Sequence, residues 1–316
     1  MYFSLGDYTI DTITNETGGE IIDYGIKMVG APLEWKECQG ENIKIGIIDT
    51  GIDLTHPDLC DRVVRYINFA GDDPQNIEDD NGHGTHVAGI VAASRNHYGV
   101  VGVAPKSQLY IAKAFDAAGN AGSSSIYRSI EWMLEEGVDL INMSFSSPSS
   151  DDSYRELVHK AYEQGVICIC AAGNNGRLPG DTVGYPAKFD ETISVVAVDI
   201  HKQRAPFSSK GNRVDIAAAG TKIFSCYPKN SFALLSGTSM ATPIITGAAA
   251  LLQNKAQLRL NRYLTPEEMK LILCIYSEDL GATGKDEEYG CGLFSFARLE
   301  NLRSNSVDSL LAKVFS

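Results

Sequence analysis

Gly237-Thr238-Ser239-Met240-Ala241-Thr242-Pro243 is the stretch whose reading decides the fold. A serine among small residues stands there at the start of Met240–Gln253, a run rich in Ala, Gly and Thr. Upstream lie Ile47-Ile48-Asp49-Thr50-Gly51 and Asn81-Gly82-His83-Gly84-Thr85-His86-Val87-Ala88-Gly89. Asp, His and Ser, each glycine-flanked beside an apolar run, are the parts of an activated nucleophile. A serine hydroxyl attacks poorly at neutral pH until an imidazole accepts its proton, and a buried carboxylate must fix that imidazole's tautomer.

Asn42–Ile48, Leu109–Ala114, Val138–Asn142, Val166–Ala171, Ile193–Val198 and Val214–Ile216 read as short apolar strands. Between several of them lie helical stretches at His86–Ala93, Ser124–Glu135, Tyr154–Gln164 and Met240–Gln253. Continuous apolar strands alternating with helices imply a three-layer α/β fold, a mostly parallel central sheet with helices on both faces. Chemistry in such sheets collects at the carboxyl ends of strands and the amino ends of helices. Asp49 ends a strand, while His83 and Ser239 each precede a small-residue helix. Gly82 and Gly237 are expected to supply backbone freedom at the entry to each catalytic position. The amino end of the Met240 helix offers unpaired N–H groups to a developing oxyanion.

The 316 residues are 44% apolar, enough for one large core, and no Pro/Gly/Ser linker marks a boundary. A net charge of −13 argues against a nucleic-acid partner, whose phosphates this surface would repel. Val166–Ala172 and Ile193–Val198, the longest apolar stretches, fall far short of the roughly 20 residues of a membrane span, so no membrane is expected. Met1 to Thr17 has no Lys or Arg and no continuous apolar core, unlike a secretory signal. The seven cysteines are odd in number and irregularly spaced, resembling neither a disulfide framework nor a Cys-x-x-Cys metal site. Free thiols without a leader point to the cytoplasm. Cys168 and Cys170 alternate in an apolar strand and are expected to be buried on one face.

Other blocks occur in the same order: His56-Pro57-Asp58, Gly102-Val103-Ala104-Pro105, Ile141-Asn142-Met143-Ser144, Ala171-Ala172-Gly173-Asn174 and Val183-Gly184-Tyr185-Pro186. From about Tyr24 to about Leu252 the chain resembles the subtilisin-like serine proteases (subtilases), in which the triad runs Asp, His, Ser. The resemblance implies a serine endopeptidase with Asp49, His83 and Ser239 as its triad. Asn174 would supply a side-chain N–H to the oxyanion beside the Ser239 N–H, with support from Thr238. His86 would be structural.

The resemblance further implies that substrate adds as a strand between Gly119-Asn120-Ala121 and Ser144-Phe145-Ser146. The primary pocket would be walled by Ser144–Ser146 and Ala171–Gly173, with Gly184 at its base. Ala121 and Ser146 stand where the family commonly has glycine, and would narrow the groove. Asn175 brings no charge to the rim, so apolar or broad preference before the cut is expected. A narrow processing peptidase is the alternative, and an inactive peptide-binding homologue is the alternative from another class.

A structural Ca2+ is also implied, held by the Asp58 and Asn96 side chains and by backbone carbonyls of Ser94, Tyr98 and Val100, with Glu20 nearby. Tyr185-Pro186 matches a site where the peptide bond is often cis, an isomer that sequence leaves open. The domain reading is 1–23 N-terminal extension, 24–300 peptidase domain and 301–316 C-terminal tail. Such extensions bring the chain closer to the intracellular subtilisins, whose short N-terminal extension blocks the site and whose C-terminal extension serves dimerisation. That allows a homodimer here, but the Leu-Ile-Pro-Tyr blocking motif of those enzymes is absent.

Overall fold

The computed structural model describes residues 1–15 and 17–298. The chain opens with β1 (Tyr2–Ser4), β2 (Thr9–Thr14), α1 (Tyr24–Val29), α2 (Ala31–Glu34), β3 (Lys44–Asp49), β4 (Val63–Asn68) and α3 (His83–Ala92). It continues through β5 (Gln108–Lys113), β6 (Asn120–Gly122), α4 (Ser123–Glu136), β7 (Leu140–Met143), α5 (Asp152–Glu163), β8 (Ile167–Ala171) and β9 (Ile193–Val198). Then come β10 (Ile216–Ala219), β11 (Ile223–Tyr227), β12 (Ser231–Ser236), α6 (Thr238–Leu260), α7 (Pro266–Ile275), β13 (Ser277–Glu278) and β14 (Leu293–Phe294).

Nine strands form the central sheet in the order β13-β14-β10-β9-β8-β7-β3-β5-β4, parallel except for the β13–β14 edge pair. Both faces are covered, as continuous apolar strands require. Within β3, Ile45 and Ile47 join one core with α3 and α6, while Ile48 joins the other with Ile126, Ile130 and Met133 of α4. Gly46 faces α4 without a side chain because a Cβ there would collide with Met133. Helix α6 is buried from Thr238 to Ala256. Its Ala, Gly and Thr residues let it run through the interior, which extends it beyond the expected Gln253 end.

The strand order turns at β3, which has β5 on one side and β7 on the other. Crevices open at the carboxyl ends of strands at such switch points. Asp49 closes β3, the segment after β7 begins at Ser144, and Asn174 follows β8, so one crevice collects all three.

Several expectations are corrected. Gly82 does adopt φ 99°, but Gly237 at φ 169° is extended backbone that any residue adopts. A Cβ there would meet only ordinary contacts, 3.4 Å from Tyr8 Cβ and 3.5 Å from Asn174 Nδ2, so neither backbone angle nor space demands glycine at 237. Cys274 and Cys291 form a disulfide, so the thiols are not all free. Sheet pairing of β14 with β10 brings the turn at Cys291 under the end of α7, which linear spacing could not reveal. Cys38, Cys60, Cys168, Cys170 and Cys226 are unpaired, and all but Cys60 are buried. The Tyr185–Pro186 bond is cis. Among the described residues no helix is long and apolar enough to cross a membrane. The tail 301–316, with the dimerisation reading placed on it, lies outside the described residues.

Candidate active site

Asp49 and His83 meet in a fully dry interior, with Nδ1 of His83 2.8 Å from Oδ1 of Asp49. A carboxylate oxygen facing Nδ1 favours the tautomer in which Nδ1–H donates, and in that tautomer Nε2 is the lone-pair acceptor. That Nε2 is buried with no protein partner. The two segments are locked together by Asp79. Its carboxylate accepts from Thr50 Oγ1 (2.7 Å), Gly82 N (2.7 Å), Asn81 N (3.2 Å), Thr85 N (2.8 Å) and Thr85 Oγ1 (2.7 Å). Thr50 follows Asp49, and the other donors bracket His83. Asp79 therefore positions one triad candidate against the other, a role that its place in the acidic run Glu78-Asp79-Asp80 did not reveal. His86 lies apart, and its Nε2 donates to the carbonyls of Ile223 and Ala233 at 3.1 Å. Burial pushes its pKa down to about 3, so it stays neutral.

Ser239 is the second residue of α6. Its hydroxyl donates to Ser144 O at 2.9 Å, and the Ser144 hydroxyl donates back to Ser239 O at 3.1 Å. Pro243 explains why that carbonyl is available: four residues on, it has no N–H to close the helical hydrogen bond. Asn174 is held from the α6 side, its Oδ1 accepting from Thr238 N (3.0 Å) and Thr238 Oγ1 (2.9 Å). The amide N–H2 is thereby turned to the crevice.

A peptide already lies there, and it belongs to this chain. Strand β1 pairs antiparallel with β6, Phe3 opposite Ala121 and Ser4 opposite Asn120. On its other side Ser4 exchanges two hydrogen bonds with Ser146, at 3.1 and 3.0 Å. Leu5 N donates to Gly119 O at 3.2 Å. Phe3 is buried among Phe145 and Tyr154, with ring centroids 5.8 and 5.1 Å away. Gly6 then turns at φ 70°, and the carbonyl that accepts from Asn174 Nδ2, at 3.0 Å, is that of Asp7. Tyr8 covers His83 with a centroid separation of 4.9 Å and donates to Asn81 Oδ1. Burial raises the Tyr8 hydroxyl to about 12, aided by Tyr227 and Asp49 nearby. The alternating burial of Tyr2-Phe3-Ser4-Leu5 and the β-branched run Thr9-Ile10-Asp11-Thr12-Ile13-Thr14 are strand signals that a reading for motifs passes over.

The structure thus brings Gly119, Asn120 and Ala121 together with Ser144, Phe145 and Ser146 as the two sides of one groove. Beside it a cavity of about 510 Å³ is lined by Ser146, Asn174, Asn175, Gly184, Gly6 and Asp7. Ala171 ends β8, and Gly173, which follows Ala172, carries φ 107°. Ser146 reaches inward: a Cβ on Gly184 would come within 2.9 Å of its Cβ.

Beside the loop 94–100, Asp58 is fully buried and its two oxygens accept from Asn96 Nδ2 (2.9 Å) and Val100 N (2.9 Å). Asn96 Oδ1 accepts from Tyr98 N, Ser94 Oγ donates to Asp61, and Glu20 accepts from His97 N. Arg95 stacks on Trp35 at 5.1 Å and forms no ion pair with Asp58. His56, Asp58 and Cys226 cluster nearby, but both His56 ring nitrogens are engaged, with Asp58 N and Ser231 O.

A parallel α/β sheet whose switch point gathers an Asp–His pair, a helix-start serine and an amide donor defines the serine-hydrolase class. Residues 40–292 match the subtilase family (peptidase S8), and the chain belongs to that family. It is 44% identical over 238 residues to subtilisin DY of Bacillus licheniformis, covering 75% of this chain and 86% of that one. It is 39% identical over 286 residues to an intracellular serine protease of Paenibacillus polymyxa, covering 89% and 87%. Subtilisin E of Bacillus subtilis (strain 168) is 42% identical over 236 residues, covering 74% and 61%. The protein is a subtilisin-like serine endopeptidase acting on protein or peptide substrates.

Proposed function

We propose that Ser239 is the nucleophile, His83 the general base and acid, Asp49 its orienting carboxylate, and Asn174 with the Ser239 N–H the oxyanion hole. The supporting observation is the Asp7 carbonyl, a peptide oxygen of the chain itself, accepting from Asn174 Nδ2 at 3.0 Å inside the groove. Ser239 Oγ leaves Ser144 O and attacks the substrate carbonyl carbon while its proton passes to His83 Nε2. The tetrahedral oxyanion is held by Asn174 Nδ2–H and Ser239 N–H; removing such an Asn donor from a subtilisin costs about 2.7–4 kcal/mol of barrier. Collapse breaks the C–N bond as Nε2–H protonates the leaving amine. Water then repeats the sequence on the acyl-enzyme.

Residues 2–8 are read as a self-blocking strand. Gly6 bulges the backbone, so the peptide bond that reaches Asn174 is displaced by one residue from the run fixed by Ser4 and Leu5. Fluorophosphonate labelling tests the nucleophile: Ser239 is modified in the full chain, and Ser239→Ala abolishes both labelling and peptide hydrolysis. Normal hydrolysis by Ser239→Ala would refute the assignment. A narrow processing role is the second reading, favoured by Ser146 packed on Gly184; Ser146→Gly then broadens a peptide-library profile.

The donor set at Asp58 fits a structural Ca2+: two carboxylates, Asp58 and Glu20, flank a curled loop, and no ion pair of Asp58 is formed among the described residues. Asn96 would turn its amide to offer oxygen, with Ser94, Tyr98 and Val100 carbonyls completing the shell. EDTA then lowers the melting temperature of the parent far more than that of Asp58→Ala. A cytoplasmic location is supported by the similarity to the intracellular serine protease of Paenibacillus polymyxa and by five unpaired cysteines. Alkylation of the protein in intact cells, followed by counting of free thiols, tests it.

A further inference from the structure

We infer that this protease reads substrates well beyond the cut by adding their leaving-side segment as a third strand to the β11–β12 hairpin. The inference rests on the proposed catalytic reading and extends it to substrate class. The self-blocking segment does not end at the catalytic residues. After Tyr8 it continues directly into β2, whose six residues pair antiparallel with β12: Thr9 opposite Ser236, Ile10 opposite Leu235, Thr12 opposite Leu234, Ile13 opposite Ala233 and Thr14 opposite Phe232. A register shift near Asp11 accommodates the bend, and Ser236 Oγ donates to Asp11 Oδ2 at 3.0 Å.

With β2 removed, β12 is a sheet edge, paired on its other side by β11 alone. An open edge presents a row of N–H and C=O groups that an extended chain satisfies. The residues of β12 are anchored in the core, Phe232, Ala233 and Leu235 being buried, so the edge is rigid. The strand seated on it is bound by its backbone: every residue from Thr9 to Ile13 is exposed, Ile13 by half. Recognition is therefore of extended conformation, with little demand on side-chain identity. The partner this edge fits is an unfolded or loosely folded polypeptide that stays extended for about eight residues past the cut, counting on from the turn at Gly6 to Thr14 along β2. Ser236 is three residues before Ser239, so groove and edge form one continuous track.

The test uses the full chain and quenched-fluorescence peptides that share four residues before the cut and carry two, four, six or eight after it. kcat/KM should rise at least tenfold from two to eight residues. In the longest peptide, N-methylation of each leaving-side amide in turn should give loss at amides facing β12 and tolerance between them, an alternation of period two that slips by one residue at the register shift seen at Asp11. Exchanges among Thr, Val and Ser there should change kcat/KM less than threefold. Length-independent cleavage, or methylation effects without alternation, overturns the inference while leaving the catalytic reading intact, provided a fluorophosphonate labels Ser239. No cleavage of any peptide together with no labelling overturns both.

Discussion

Phe3→Ala should release the groove, and the structure sets the size of the effect. Phe3 is 1% exposed and stands edge-on to Phe145 and Tyr154. Truncating a buried Phe to Ala costs about 3–5 kcal/mol, and each 1.4 kcal/mol is tenfold in an equilibrium constant. The balance between seated and released strand should therefore shift by about 100-fold to a few thousandfold toward release. A strand that competes with substrate divides the intrinsic dissociation constant by the open fraction, which raises the apparent KM and leaves saturated turnover unchanged. Initial rates on a quenched peptide should show KM falling in Phe3→Ala by up to that factor, with kcat constant, and fluorophosphonate labelling should accelerate in proportion. The gain stops where the released state becomes dominant, so the measured ratio also reports how tightly the parent is closed. Tyr2→Ala, at a residue 81% exposed, is the control and should behave as the parent. Unchanged KM and labelling in Phe3→Ala, with a lowered melting temperature, would refute the competition argument, because Phe3 would then support the fold without gating the groove.

Asp79→Ala strands several buried donors at once; at about 1–3 kcal/mol for each group left unsatisfied, the melting temperature should drop sharply and kcat should fall, with Asp79→Asn restoring part of both. Burial raises Asp23 from 3.8 to about 6, despite its hydrogen bonds from Gly25 N and Phe224 N. A folded pKa above the unfolded one means that the native state binds the extra proton between pH 4 and 6, so this group's contribution is largest in acid and declines as pH rises. The stability difference between parent and Asp23→Asn, from denaturant midpoints, should shift against the parent by about 2 kcal/mol between pH 4 and 7. The Cys274–Cys291 bond spans a separation of 17 residues. Reduction or Cys274→Ser should lower unfolding stability by about 3 kcal/mol and leave peptide hydrolysis at 25 °C unchanged, since the bond lies at the β14 edge of the sheet, away from the crevice; a loss of activity would contradict that placement.

Sequence reading recovered the layered sheet because its strands are continuous apolar runs, whose burial on both faces is a local property of composition. The strand Ile193–Val198 has the expected bounds and Asp49 ends its strand, while His83 and Ser239, expected to precede their helices, are the first residue of α3 and the second of α6. These motifs are legible because the proposed nucleophile, base and amide donor each need a fixed residue type in a fixed local turn. What the sequence left open depends on distance in space. The extension lacked the expected blocking motif, yet Tyr2–Thr14 crosses the groove, since a strand is held by backbone pairing that almost any side chain permits. Asp79 was one carboxylate in an acidic run until folding surrounded it with donors from the Asp49 and His83 segments. The pairing of Cys274 with Cys291 followed from sheet order, and the hydroxyl of Ser239 turned to Ser144 O follows from a carbonyl carried by another strand's end. Local chemistry named the candidate groups; long-range packing set Asp49 against His83 and laid this chain's own first strands across the groove.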